Sequence, residues 1–243
     1  MTYDPKELLS ACDAQRAAAT DPSPHVRVMA GPGTGKSQTI EQRVCWLVEG
    51  GADPGRIVVV SFTRASAEDL RARVAKACSE ANLDPAVRVG TLHSFALRAL
   101  RAAGRLKAYP ADPAVLQRWE VDHIFDAEFG ETAGVGSLPR RRLIRADHEA
   151  FWQTGEHTPP QVTPPDPPIS EDERNGFRTF HGPRTQLYSC VLPGEIVRLC
   201  VDHMQAGTLD PAELLKIDHL IVDEFQISTR WTLSSCMAWR IAV

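Results

Sequence analysis

The sequence predicts an α/β protein, a parallel sheet with helices on both faces into which a mostly helical subdomain is inserted. Three observations point there. Up to about Gly104, short apolar runs alternate with longer amphipathic stretches, the pattern of strands joined by crossover helices. Beyond Gly104 the pattern changes to helical fragments and a proline-rich run. His219-Leu220-Ile221-Val222-Asp223-Glu224 then reads as a further strand, with two carboxylates at its end.

Each element has a local reason. Val26 to Ala30 reads as a short strand running into Gly31-Pro32-Gly33-Thr34-Gly35. Ile40, Val44, Leu47 and Val48 then recur at helical spacing until Gly50-Gly51 stops the helix. Ile57 to Phe62 (IVVVSF) is a continuous apolar run suited to a buried strand, and Ser66 with Asp69 is expected to cap the helix that follows. Val87-Arg88-Val89 leads through Gly90 and Thr91 into a helix carrying Phe95, Leu97 and Leu100. Val115 to Phe129 reads as helical, whereas TPPQVTPPDPP at Thr158 to Pro168 can be neither helix nor central strand, because proline lacks the amide donor. Glu195 to Met204 reads as a helix. The expected organisation is a sheet domain over 1–104 and 190–226, a helical insertion with its proline-rich loop over 105–189, and a tail of different character over 227–243. There is no internal repeat.

With 243 residues and 43% hydrophobic content the chain can bury one sizeable core and a smaller appended region. A net charge of -4 argues against a generally basic nucleic-acid coat and leaves room for a local basic groove. The 6 cysteines (Cys12, Cys45, Cys78, Cys190, Cys200, Cys236) form no CxxC pair and no secreted-type framework, so reduced, buried thiols are expected. No apolar targeting region opens the sequence, and no stretch is apolar over the roughly 18 residues that a membrane helix needs. A soluble, cytoplasmic protein without a membrane partner is the expectation.

Two segments carry chemistry. Ala30-Gly31-Pro32-Gly33-Thr34-Gly35-Lys36-Ser37 matches the Walker A pattern with alanine in place of the first glycine, and it lies between an expected strand and helix. Glycines at Gly31, Gly33 and Gly35 let backbone N–H groups close around phosphate oxygens, Lys36 can meet the β and γ phosphates, and Ser37 can ligate magnesium. Asp223 and Glu224 stand at a strand end, where a parallel sheet presents ligand-binding groups; one carboxylate can hold the metal while the other orients or deprotonates water. A glycine-rich turn and a solvated Asp-Glu pair are the plain alternatives. Arg140-Arg141-Arg142 with Arg145 reads as a solvated basic face or as a contact to a DNA backbone.

Asp223-Glu224-Phe225-Gln226 resembles the DExQ form of Walker B used by superfamily 1 helicases. VVSFTRASAEDLRARV (Val59 to Val74) resembles their motif Ia, and VGTLHSFALRAL (Val89 to Leu100) the TxH-type motif that follows. Asp13-Ala14-Gln15-Arg16 sits where the adenine-reading Q motif belongs. In this order the segments resemble the UvrD/Rep group of DNA helicases over Leu8 to about Arg101 and Pro193 to Gln226. The resemblance implies a RecA-like P-loop NTPase fold, ATP and Mg2+ as cofactors, single-stranded DNA as partner, and ATP hydrolysis coupled to 3′-to-5′ unwinding. It points to no specific protein partner. It gives Gln15 the adenine edge, Gly31, Gly33, Thr34, Gly35 and Lys36 the phosphates, Ser37 and Asp223 the metal, Glu224 the role of catalytic base, and Gln226 the γ-phosphate. Phe62, Thr63, Arg64, Thr91 and His93 would line a single-strand track, although Phe62 reads equally as core and His93 as a helix-start histidine. Two positions depart from the family pattern: Gln38 stands where arginine is common, and Arg64 where asparagine is common.

After Gln226 the pattern breaks. Ile227 to Val243 (ISTRWTLSSCMAWRIAV) follows no useful period. One base restored after Gln226, with permitted codons, turns it into DLNALDIELVHGMADRGV, so that the motif reads DEFQDLN and an amphipathic segment follows. The expectation is an out-of-frame tail ending at a premature stop. The chain is then a truncated ATP-binding part without helicase activity of its own. A divergent but genuine C-terminus and a non-enzymatic nucleotide- or DNA-binding remnant are the alternatives, with an unrelated P-loop ATPase or kinase further off.

Overall fold

The computed structural model of the chain describes residues 5–29, 31, 33–109, 112–155, 157 and 167–223. In chain order these form α1 (Pro5–Ala19), α2 (Lys36–Glu49), β1 (Ile57–Ser61), α3 (Arg64–Glu80), β2 (Arg88–Thr91), α4 (Leu92–Ala102) and β3 (Ala114–Val115). They continue with α5 (Arg118–Glu120), a π-helical turn (Val121–Phe125), α6 (Asp126–Ala133), α7 (Leu138–Thr154), α8 (Glu171–Tyr188), β4 (Cys190–Val191), α9 (Pro193–Gln205), α10 (Pro211–Leu214) and β5 (His219–Val222). They divide into two compact units, one holding the residues up to Phe95 and those from Asp210 on, the other Ala96 to Leu209. The protein is thus mixed α/β with a parallel sheet. The boundaries expected after 104 and 189 both lie inside the second unit.

In the first unit the strand order is β2-β1-β5, all parallel. β1 is central because its IVVVS run has no exposed face: Ile57, Val58 and Val59 are 0% exposed. Ile57 and Val59 pack with Ile40, Val44 and Leu47 of α2 and Leu70, Val74 and Cys78 of α3. Val58 and Val60 point the opposite way and are buried too. The register sets Ser61 opposite Thr91 and Val60 opposite Val222, so all three strands end at one edge. An ion pair and side-chain hydrogen bonds fasten the chain entering β5. Arg56 forks onto Asp218, and Arg88 donates to the carbonyls of Leu215 at 2.8 Å and Lys216 at 3.1 Å.

Gly50 ends α2 as the glycine pair predicts, its amide donating to Trp46 O. Two local expectations are corrected. Val26 to Met29 forms no strand: no described strand pairs with it, and Val28 and Met29 are 46% and 80% exposed. An apolar run becomes a strand only when a neighbour takes up its backbone groups; Ala30 lies outside the described residues. The cap of α3 is Thr63, not Ser66. Thr63 has the extended backbone (φ -111, ψ 158) that an N-cap needs, and its Oγ1 accepts from Ser66 N at 3.0 Å. Ser66 is already inside the helix.

The second unit is built on an aromatic core of Phe125, Phe129, Phe177 and Phe180, with Val121, Ile144, Ile169 and Leu192 around them. The rings meet edge-on, Phe125 to Phe180 at 5.1 Å and Phe129 to Phe177 at 5.3 Å. The stretch expected as helix over Val115 to Phe129 begins instead with β3, paired in parallel to β4, and becomes helical from Arg118. α9 matches the helix read over Glu195 to Met204 and packs on α7.

The arginines of the α7 cluster are each held by partners within the unit, although Arg142 keeps 44% of its side chain exposed. Arg140 grips Glu173 through two bonds of 2.8 Å, and Arg141 donates to the carbonyl of Val135. Arg142 pairs with Asp122 at 3.0 Å. Arg145 reaches Asp126 at 2.9 Å and Glu149 at 2.8 Å. Burial pushes the Asp126 carboxyl up, and Arg145 opposes that. Glu149 lies on α7 itself, four residues beyond Arg145, while the other acceptors lie outside that helix, invisible to a linear reading. Cys78 and Cys200 are buried free thiols as expected, whereas Cys45 and Cys190, also free, are only half-buried and Cys12 is exposed; Cys236 lies outside the described residues. Among the described residues no helix is long and apolar enough to cross a membrane.

Candidate functional site

The sequence-predicted residues that are described all fall in the first unit, on two features. One is the loop before α2. Gly33 (φ 75) and Gly35 (φ 82) take left-handed backbone that side-chain-bearing residues rarely adopt. Thr34 Oγ1 closes the turn on Gly31 O at 2.8 Å. Gln15 reaches the same turn from α1, its Nε2 donating to Thr34 O at 2.8 Å. A Cβ at Gly35 would come within 2.6 Å of that Nε2, so a side chain there would displace Gln15 from the turn. α1 is held for this contact by Arg43 of α2, which donates to Ala19 O at 3.1 Å and to Asp21 O, while its guanidinium lies 4.7 Å from the Trp46 ring centre.

Gly35 is the N-cap of α2 and supplies no side chain, so no side-chain hydrogen bond closes that helix start. Lys36 and Ser37, half-buried, form its first turn. Unsatisfied N–H groups and the positive end of the dipole make such a start a place for anions.

The other feature is the carboxyl edge of the sheet. Asp223 directly follows β5; its amide donates to Val60 O at 2.8 Å, and its Oδ2 accepts from Ser61 Oγ at 3.2 Å. Ser61, 1% exposed, is the polar residue that sequence reasoning missed. Its signal was there in the hydroxyl that ends an otherwise apolar IVVVS run. Next along the edge, Phe62 is 50% exposed, which removes the core reading, and Thr63 and Arg64 open α3. Thr91 ends β2 and turns the chain into α4, its Oγ1 accepting from Ser94 N at 3.3 Å. His93 is half-buried; burial and then the charge of Arg64 push its imidazole below the usual value, which keeps it neutral near pH 7. The structure thus brings Asp223, Phe62, Thr63, Arg64, Thr91 and His93 to one edge. Glu224, Gln226 and the whole tail from Ile227 lie outside the described residues.

A glycine loop on a helix start and a carboxylate at the end of a parallel strand are shared by many nucleotide-binding proteins. The narrower class comes from comparison: the profile of the UvrD/REP helicase N-terminal domain matches residues 11–150, and the chain belongs to that family. Among its relatives, the ATP-dependent DNA helicase SRS2 of Saccharomyces cerevisiae is 33% identical over 115 residues, 46% of this chain and 10% of that protein. DNA helicase II of Escherichia coli is 32% identical over 105 residues, 43% of this chain and 14% of that protein. The ATP-dependent DNA helicase UvrD2 of Mycobacterium tuberculosis is 38% identical over 99 residues, 37% of this chain and 13% of that protein. The matched segment is therefore a small part of each relative.

Proposed function

We propose that the chain binds ATP with Mg2+ as the ATP-binding part of a UvrD-like DNA helicase, on a RecA-like P-loop sheet formed by 1–104 and 190–226 with 105–189 inserted. The observation that carries this reading is the uncapped start of α2, preceded by two left-handed glycines and touched by Gln15. Backbone N–H groups of the loop and the Lys36 ammonium would hold the phosphates, and Gln15, fixed beside the loop, would meet the adenine edge. Ser37 and Asp223 offer hard oxygen donors, the set that suits Mg2+. Charge neutralisation on the phosphates is what the bound ion supplies. Glu224 would take the proton from the attacking water, and Gln226 would contact the γ-phosphate. Phe62, Thr63, Arg64, Thr91 and His93, gathered on the adjoining edge, would carry single-stranded DNA, with the open face of Phe62 stacking a base.

Thermal unfolding with and without Mg-ATP tests the nucleotide half. At about 100 times its dissociation constant a ligand stabilises the folded state by about 2.7 kcal/mol. The wild type should show a shift of that size and Lys36→Ala should not. No shift in the wild type, or an equal shift in both, would sink the proposal.

A further inference from the structure

We propose that Asp147, His148 and His157 form a binding site for a divalent transition-metal ion of the Zn2+ type, in the second unit and independent of the nucleotide site. The first observation is His148 itself. It is 2% exposed, and neither Nδ1 nor Nε2 has a hydrogen-bond partner. A neutral imidazole carries one donor and one acceptor, and buried polar atoms are nearly always satisfied. Two orphaned atoms on one buried ring call for a ligand.

The second observation is what stands around that ring. One ligand atom each from Asp147, His148 and His157 lie within 4.8 Å of one another. α7 supplies the first two side by side. His157 is brought back to them because Gly155 ends α7 in left-handed backbone (φ 76), its amide donating to Phe151 O at 2.8 Å. His157 then stacks on Phe151 at 4.4 Å, with 11° between the planes, and its Nδ1 lies 2.8 Å from Asp147 Oδ2. Phe177, 4.5 Å from His148 between ring centres, walls the inner side. Two imidazole nitrogens and one carboxylate oxygen suit zinc and neighbouring transition metals; magnesium and calcium prefer all-oxygen sets.

Tetrahedral zinc at about 2.0–2.1 Å from its ligands sets donor atoms roughly 3.4 Å apart, so binding closes any wider separation within the 4.8 Å limit and opens the 2.8 Å approach of His157 Nδ1 to Asp147 Oδ2. His157 can make that movement, being at the rim with 27% of its side chain exposed, and a water would complete the set as fourth ligand. Arg174 donates to Asp147 Oδ2 at 3.0 Å and Oδ1 at 3.4 Å. It orients the carboxylate, and its positive charge holds the affinity below that of an unopposed site.

The test uses the full chain without a histidine tag, stripped with chelator and titrated with Co2+ and then Zn2+. The expected result is one Co2+ per chain with the visible bands of four-coordinate cobalt, displaced by stoichiometric Zn2+. His157→Ala, at the rim, should weaken uptake at least about tenfold while leaving the far-UV dichroism unchanged. His148→Gln should abolish it. Absence of the four-coordinate spectrum, or uptake unchanged in both variants as cysteine ligation would give, overturns the assignment.

Discussion

Replacing Glu173 by glutamine isolates the interaction that fastens the start of α8. Glu173 Oε2 accepts from Ser170 N at 2.8 Å and Ser170 Oγ donates to the same oxygen at 3.1 Å, while Ser170 Oγ also accepts from Glu173 N at 3.2 Å, a closed capping box. Arg140 adds its two-pronged grip and also donates to Pro167 O at 2.5 Å and Pro168 O at 2.7 Å, which fixes the chain entering the helix. The Arg140 guanidinium, and after it the Ser170 donors, hold the Glu173 carboxyl at about 2 against an ordinary 4.5, with burial opposing. Unscreened, that difference is worth about 3 kcal/mol by linkage. Water reaches the 23% exposed carboxylate, and the expected contribution is about 1–2 kcal/mol. Because the folded-state value is depressed, the contribution is complete above the unfolded value near 4.5 and disappears as pH falls through about 2. Urea unfolding followed by helical dichroism at pH 7, 5, 4 and 3 measures it. Glu173→Gln should lie below wild type by about 1–2 kcal/mol at pH 7, with the gap closing toward pH 3. A gap that stays constant from pH 7 to pH 3, or is absent at pH 7, refutes the reasoning.

Three further outcomes follow from the same geometry. Arg145→Met leaves the 0% exposed carboxylate of Asp126 without its cation and should cost about 3–5 kcal/mol at pH 7 in denaturant unfolding, less at pH 4, where a carboxyl whose value is already raised by burial protonates. An equal loss at both pH values would mean that packing rather than charge is at stake. Gly35→Ala forces a side chain into left-handed backbone and against Gln15, and should lower stability by about 1–2 kcal/mol and weaken Mg-ATP binding, read by calorimetry; full affinity in this variant would show that the turn is not held as described. Phe62→Ala removes a half-exposed ring, so the melting temperature should barely move, while affinity for oligo-dT by fluorescence anisotropy should fall by about 1–3 kcal/mol. Unchanged DNA affinity would return Phe62 to the plain surface.

The segments legible in the sequence are those whose cause is local. IVVVS has no polar face and becomes the central strand; Ile40, Val44 and Leu47 repeat at helical spacing until Gly50, and α2 runs over that stretch; His219 to Val222 ends where its apolar run ends. The glycine loop is legible because left-handed backbone at Gly33 and Gly35 needs glycine itself. Tertiary structure decided the rest, since the partners lie far apart along the chain. Val26 to Met29 has the composition of a strand and, among the described residues, no strand that pairs with it. Thr63 and Ser66 carry equivalent hydroxyls, and only the extended backbone at Thr63 chooses between them. Ser61 meets Asp223 across 162 positions, and Arg140 meets Glu173 across 33, so the first extends the edge of the sheet and the second ties Arg140 to the start of α8. His148 shows the division most clearly. In sequence it is one histidine in a charged helix, and only burial without a partner, with His157 folded back beside it, makes it a place where something can bind.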